Sequence, residues 1–171
     1  VLGGGAPTTL LSQQPIADPK REAERELSSD TFILDEIQKG GSTLDYAALD
    51  YYCKFRLKLP FKFPRADTWE VYPEGIYNAV KKYHQRYKLP VLIAENGMAT
   101  QDLAPRADRW TRSAYLVSHV RQVQRAMDEG VPVLGYVHWS ITDNYEWGSF
   151  SPRFGLFSVD CRNGDFTRKE A

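Results

Sequence analysis

Hydrophobic residues recur along this chain at two spacings. Val91-Leu92-Ile93-Ala94 is apolar at every position, the composition of a strand buried on both faces. Asn96-Gly97 follows as a turn signal, so this strand is predicted to end at Glu95 or just beyond. Val133 to Ser140 reads as a second buried strand, whose odd positions Val133, Gly135 and Val137 lead one face to Trp139. Leu44 to Tyr52 is a third strand candidate, and Phe154 to Val159 a further short one. Val1 to Leu11 reads as the end of a strand running into a Gly-rich turn.

Between these runs the spacing lengthens. After Pro73, the apolar residues Ile76, Val80, Tyr83 and Tyr87 recur at i, i+4, i+7 and i+11, which predicts a helix closed off before Pro90. Thr111 to Glu129 predicts another, with Leu116, Val120, Val123 and Met127 on one stripe and Gly130 just past its end. Asp18-Pro19 has the form of a helix start, Asp as N-cap and Pro at the first helical position, and opens a charged helix. A short helix capped by Asp30 and closed by Gly40-Gly41 would put Ile33, Leu34 and Ile37 on one face. Strands alternating with helices imply a parallel sheet with right-handed crossovers. An open doubly wound sheet and a segment of a TIM barrel both fit.

Composition narrows the function classes. With 171 residues the chain has room for one domain with a real core. Lys plus Arg and Asp plus Glu both number 22, so no net charge argues for nucleic acid or an anionic membrane. Lys54 to Arg65 does alternate basic and apolar residues, as a nucleic-acid reader would. Pro60 and Pro64 and the lack of basic excess elsewhere point instead to a loop or hairpin. No apolar run reaches the length of a membrane span, and the N-terminus lacks the form of a signal peptide. Cys53 and Cys161 lie in no metal or redox spacing, which fits a reducing, cytoplasmic setting. Gly3-Gly4-Gly5 lacks the Gly-Lys-Ser/Thr of a phosphate loop and reads as a plain turn.

Two stretches carry candidate chemistry. Glu95 ends a buried strand, where parallel α/β sheets place functional groups. The alternative is a helix-capping Glu on an ordinary loop. Trp139 to Trp147 gathers two indoles, Asp143, Asn144, Tyr145 and Glu146 after another strand. Indole faces stack on pyranose rings, and carboxylates and amides make the directional hydrogen bonds that distinguish hydroxyls. Core anchors and turn residues are the structural alternative.

IAENG at 93–97, with GYVHWSITDNYEWGSFSPRFGLFSVD at 135–160, closely resembles glycoside hydrolase family 1, the β-glucosidases and β-glycosidases. WEVYPEGIYNAVKKYHQRYKLP at 69–90 is similar to the family segment before the nucleophile strand. LDYYC at 49–53 is similar to the end of the sixth strand, where the family has Asn-Tyr-Tyr. The resemblance runs from Leu44 to Asp160. It implies an α/β chain of the (β/α)8 TIM-barrel type, residues 1–171 forming a C-terminal half-barrel of about strands five to eight. It implies that Glu95 is the catalytic nucleophile of a retaining β-glycosidase and that Tyr52 orients it. Trp139 would be the platform under the sugar, Glu146 and Trp147 would hold its hydroxyls, and Phe154 would line the pocket wall. Asp50, also among the sugar-binding positions, departs from the family's Asn. A second carboxylate there would disfavour the nucleophilic anion if the two are close.

The family's acid/base Glu lies in an Asn-Glu-Pro motif, and no Asn-Glu-Pro occurs in this sequence. His84, His119 and His138 match neither the family's sugar-binding His nor metal-ligand spacing. The resemblance implies a β-glycoside substrate and no metal or organic cofactor, while the balanced charge and short apolar runs imply no nucleic-acid or membrane partner. Self-association or a missing N-terminal half-barrel is expected. The alternative is a non-catalytic glycan-binding or scaffold fragment.

Overall fold

The computed structural model describes residues 6–7, 10–11, 31–41, 43–55, 64–102, 104–160 and 165–170. Its centre is a sheet of four parallel strands. In spatial order these are β1 (Ala6–Pro7), β3 (Ala47–Asp50), β5 (Val91–Asn96) and β7 (Val133–His138). The expected strands are thus present, adjacent and parallel. A second parallel pair joins β2 (Leu10–Leu11) to β4 (Lys54–Phe55). The predicted Gly-rich turn, the charged helix after Asp18 and the loop from Arg56 to Phe63 lie outside the described residues.

Helix α2 (Pro73–Tyr87) crosses from β3 to β5, and α3 (Arg112–Asp128) from β5 to β7. Pro73 stands at the start of α2, where its missing N–H costs nothing. Ile76, Val80 and Tyr83 are fully buried against Leu49, Val91 and Ile93, as the apolar spacing requires. Burying each such side chain is worth about 1.5–3 kcal/mol. The Thr111 hydroxyl caps α3 by accepting from the Ala114 N–H at 3.2 Å.

The buried stripe of α3 differs from the predicted one. Tyr115, His119, Val123 and Ala126 face the sheet, while Val120 and Met127 are 43% and 42% exposed. The helix is turned by about one position because the Tyr115 hydroxyl is needed inside, where it serves a buried amide described below. The short helix α1 (Phe32–Lys39) also departs from expectation. Its N-cap is Thr31, without a side-chain cap, and Asp30 lies outside the described residues. Leu34 is buried but Ile33 is 52% exposed. What fastens α1 is polar: Asp35 accepts two hydrogen bonds from Arg86 and one from the Tyr87 hydroxyl.

Strand β7 was expected to be buried on both faces. Leu134 and Val137 are instead 58% and 51% exposed. Among the described residues β7 has one neighbour in the sheet, β5, and so stands at its edge. The short strands β6 (Thr100–Gln101) and β8 (Pro152–Arg153) also pair, as do β9 (Phe157–Asp160) and β10 (Asp165–Glu170). The predicted strand at 154–159 therefore starts at Phe157, and Phe154 precedes it.

Candidate active site

Parallel pairing brings the C-terminal ends of β3, β5 and β7 to one rim. A register shift after Leu49 sets Asp50 opposite Glu95, and a second sets Asn96 opposite His138. Glu95 and Trp139 thus lie at the same end of the sheet. The Tyr52 hydroxyl donates to Glu95 Oε2 at 2.6 Å. Its ring meets Phe154 and Trp69 edge-on, at 5.9 and 5.8 Å between centroids. Phe154 is buried, so Tyr52 is held from the side as well as at its tip.

Asn96 does not act as a turn residue. It ends β5 fully buried. Its amide nitrogen donates to the Tyr51 carbonyl and, at 2.9 Å, to the Tyr115 hydroxyl, while its oxygen accepts from the Tyr136 hydroxyl. Tyr115 in turn donates to the Tyr52 carbonyl at 2.8 Å. The amide and two tyrosines fix the backbone on which Tyr52 sits, and leave no polar group of Asn96 unpaired. None of these partners is legible as a motif. The available signal is a polar-tipped aromatic at each of positions 115 and 136, on elements that had to face the sheet.

Gly97 follows because nothing larger fits. A Cβ there would stand 1.8 Å from the Trp139 carbonyl oxygen. The Trp139 N–H donates to the Asn96 carbonyl at 2.9 Å, which locks the two rims together. The Trp139–Ser140 peptide is cis. Trp139 Nε1 donates to Glu146 Oε1 at 2.8 Å, and Asn144 Nδ2 donates to the same oxygen at 2.6 Å. Glu146 is 9% exposed and well oriented. Its backbone exchanges hydrogen bonds with Ser149 across a tight turn, with Trp147 at φ 48° and Gly148 at φ 90°. Both central residues being left-handed, this is the geometry of a hairpin turn.

Of the loop's other candidates, Trp147 is exposed and Asp143 is structural. Trp147, at the tip of that turn, is 97% exposed, so the described residues do not pack it beside Glu95. Asp143 is committed to the fold. Its carboxylate pairs with Arg153 at 3.1 Å and accepts from the Gly155 and Val159 N–H groups. The Arg-Phe-Gly sequence is thus a brace for the loop, and it sets Phe154 against Tyr52.

Burial first, and the Glu95 charge second, raise the Asp50 carboxyl from 3.8 to about 6. Burial also holds the Tyr52 phenol far above its usual range, aided by its bond to Glu95 and by the charges of Glu95, Asp50 and Glu146. The Tyr52 phenol therefore senses the charge of three carboxylates drawn from three segments. His119 lies behind the site, stacked on Tyr115 at 3.8 Å, and burial lowers it to about 4. Among the described residues no His, Cys, Asp and Glu cluster is arranged to hold a metal. A groove of about 540 Å³ along Tyr77, Lys81 and Gln85 belongs to the outer surface of α2 and not to this rim.

Residues 35–171 match the model of glycosyl hydrolase family 1. The chain belongs to this family. Among curated family members it is 55% identical to a β-galactosidase of Sulfolobus acidocaldarius over 93 residues, 54% of this chain and 18% of that protein. A β-galactosidase of Saccharolobus solfataricus is 36% identical over 87% of this chain and 37% of its own. Among solved structures, the β-glucosidase of Pyrococcus furiosus superposes with a TM-score of 0.78 at 32% identity, covering 99% of this chain and 39% of that one. The chain thus spans less than half the length of these relatives, and its sheet is part of their TIM-barrel fold.

Proposed function

We propose that this chain carries the nucleophile side of a retaining β-glycosidase site, on strands corresponding to about the fifth to eighth of a (β/α)8 barrel. The observation that carries the reading is the 2.6 Å hydrogen bond from the Tyr52 hydroxyl to Glu95 at the strand ends. One Glu95 oxygen is held by Tyr52, and the other attacks the anomeric carbon. The bond to the aglycone breaks, and its electron pair leaves with the aglycone oxygen, which takes a proton from a second carboxylic acid. That acid then removes a proton from water, which releases the sugar from Glu95. The two carboxyls of such a pair stand roughly 5–5.5 Å apart. This sequence holds no Asn-Glu-Pro, and the second carboxyl is assigned to the N-terminal half of the barrel.

The substrate class is a terminal β-linked glucoside or galactoside, in keeping with the names of the relatives. Trp139 is its platform, Glu146 and Trp147 hold its hydroxyls, and Phe154 is its wall. The test is turnover of an aryl β-glucoside and an aryl β-galactoside by the chain joined to a family 1 N-terminal half. Glu95→Gln should abolish it. Equal turnover by parent and Glu95→Gln would remove Glu95 from the reaction.

A further inference from the structure

Asp50 and Glu95 face each other across the ladder between β3 and β5, at its C-terminal end. Glu95 has a donor in Tyr52. Among the described residues, Asp50 has neither a hydrogen bond nor an ion pair, and only burial and the Glu95 charge act on it. Tyr52, on the same segment as Asp50, senses the charges of Glu95, Asp50 and Glu146. Among the described residues, three cations have partners of their own. Arg153 pairs with Asp143, Arg106 with Asp108, and the Lys54 ammonium lies over the Tyr72 ring at 4.9 Å.

We propose that Asp50 is a specificity-determining residue: paired with Glu95 across the ladder, it adds a second negative charge that selects ligands with a positively charged ring over neutral sugars. This rests on the reading of the rim as a sugar site. An amide at this position would be neutral at every pH, whereas Asp50 is neutral only while it holds its proton. Below about pH 6 Asp50 holds its proton. Above that it adds a negative charge beside Glu95, and a cation there relieves the repulsion. The ligand class is a protonated imino sugar, a six-membered ring in which an amine replaces a ring atom. The neutral lactam of the same ring has the hydroxyls without the charge.

The experiment is calorimetric titration of the full chain and of Asp50→Asn at about pH 5 and about pH 8. The probes are a piperidine imino sugar that stays protonated over this range and its neutral lactam. In the parent, the affinity ratio of cation to lactam should rise about tenfold from the lower to the higher pH. In Asp50→Asn it should stay flat. A ratio that rises equally in both overturns the proposal. If neither probe binds folded parent protein, the sugar-site reading falls and this role falls with it. Carboxyl-carbon NMR tests the pairing without any ligand. The Asp50 midpoint should drop in Glu95→Gln, and an unchanged midpoint would overturn the pair itself.

Discussion

Asp50 shows how one side chain links the site to stability. Its carboxyl is raised in the folded protein from 3.8 to about 6, so the fold holds that proton more tightly than the unfolded chain does. The stability this gives is fully present below about pH 4 and is lost as pH rises through about 6. Asp50→Asn should therefore gain about 1 kcal/mol over the parent above that range, a value discounted for a half-exposed group, and little below it. Urea midpoints on both sides of the range measure this. Glu146 offers a second test. It accepts from Trp139 and Asn144, so it is aimed before a sugar arrives. Glu146→Ala should weaken a glycone inhibitor by about 1.5–3 kcal/mol, the worth of charge-assisted hydrogen bonds. Equal inhibitor affinity for mutant and parent would give Glu146 another role. The Asn96-Gly97 signal placed the end of β5 correctly, but nothing in it showed that the Asn96 amide is buried. Asn-Gly is a turn signal on its own, but at the end of β5 the amide is buried and satisfied by two tyrosines and a carbonyl. Asn96→Ala leaves those groups unpaired and should cost about 3 kcal/mol or more in urea titration.

At the scale of elements, legibility followed the physics of each signal. Strands β3, β5 and β7 and helices α2 and α3 could be read because continuous apolar runs and a 3.6-residue period leave few alternatives. The stripe of α3 could not, because apolar counting favours Val120 and Met127 over Tyr115 and His119. The sheet placed its helix by a hydrogen-bonding need that no periodicity encodes. The stretch from Trp139 to Trp147 was readable as rich in aromatic and polar side chains but not in its division of labour. Asp143 and Glu146 are equally acidic in sequence, yet one braces Arg153 and the other meets Trp139. The resemblance to a family supplied the roles, and the spacing alone would have left a helix-capping Glu95 standing. Gly97 joins the two rim elements, and Gly97→Ala should separate them, since its Cβ would meet the Trp139 carbonyl oxygen at 1.8 Å. A drop in tryptophan fluorescence protection against acrylamide, with far-UV circular dichroism kept, is the expected readout.

At the scale of the whole molecule, the described residues leave an apolar edge. Leu134, Val137, Ile141 and Tyr145 are each more than half exposed around β7. Unpaired strand edges with apolar faces favour association. The isolated chain should self-associate, or bind a supplied N-terminal half-barrel, and light scattering decides; a monodisperse, cooperatively folding monomer would speak against it. Chemistry at this scale depends on the acid assigned to the other half of the barrel. General acid catalysis typically contributes about 10²–10⁴-fold, and matters least when the leaving group departs well unprotonated. The central claim, that Glu95 is the nucleophile, is therefore tested most directly by trapping. The chain is incubated with a dinitrophenyl 2-fluoroglycoside and weighed by intact-protein mass spectrometry. A sugar-sized increment on the parent, mapped to Glu95 and absent from Glu95→Gln, is the predicted result. Folded parent protein that gains no mass, or gains it equally in Glu95→Gln, would contradict it.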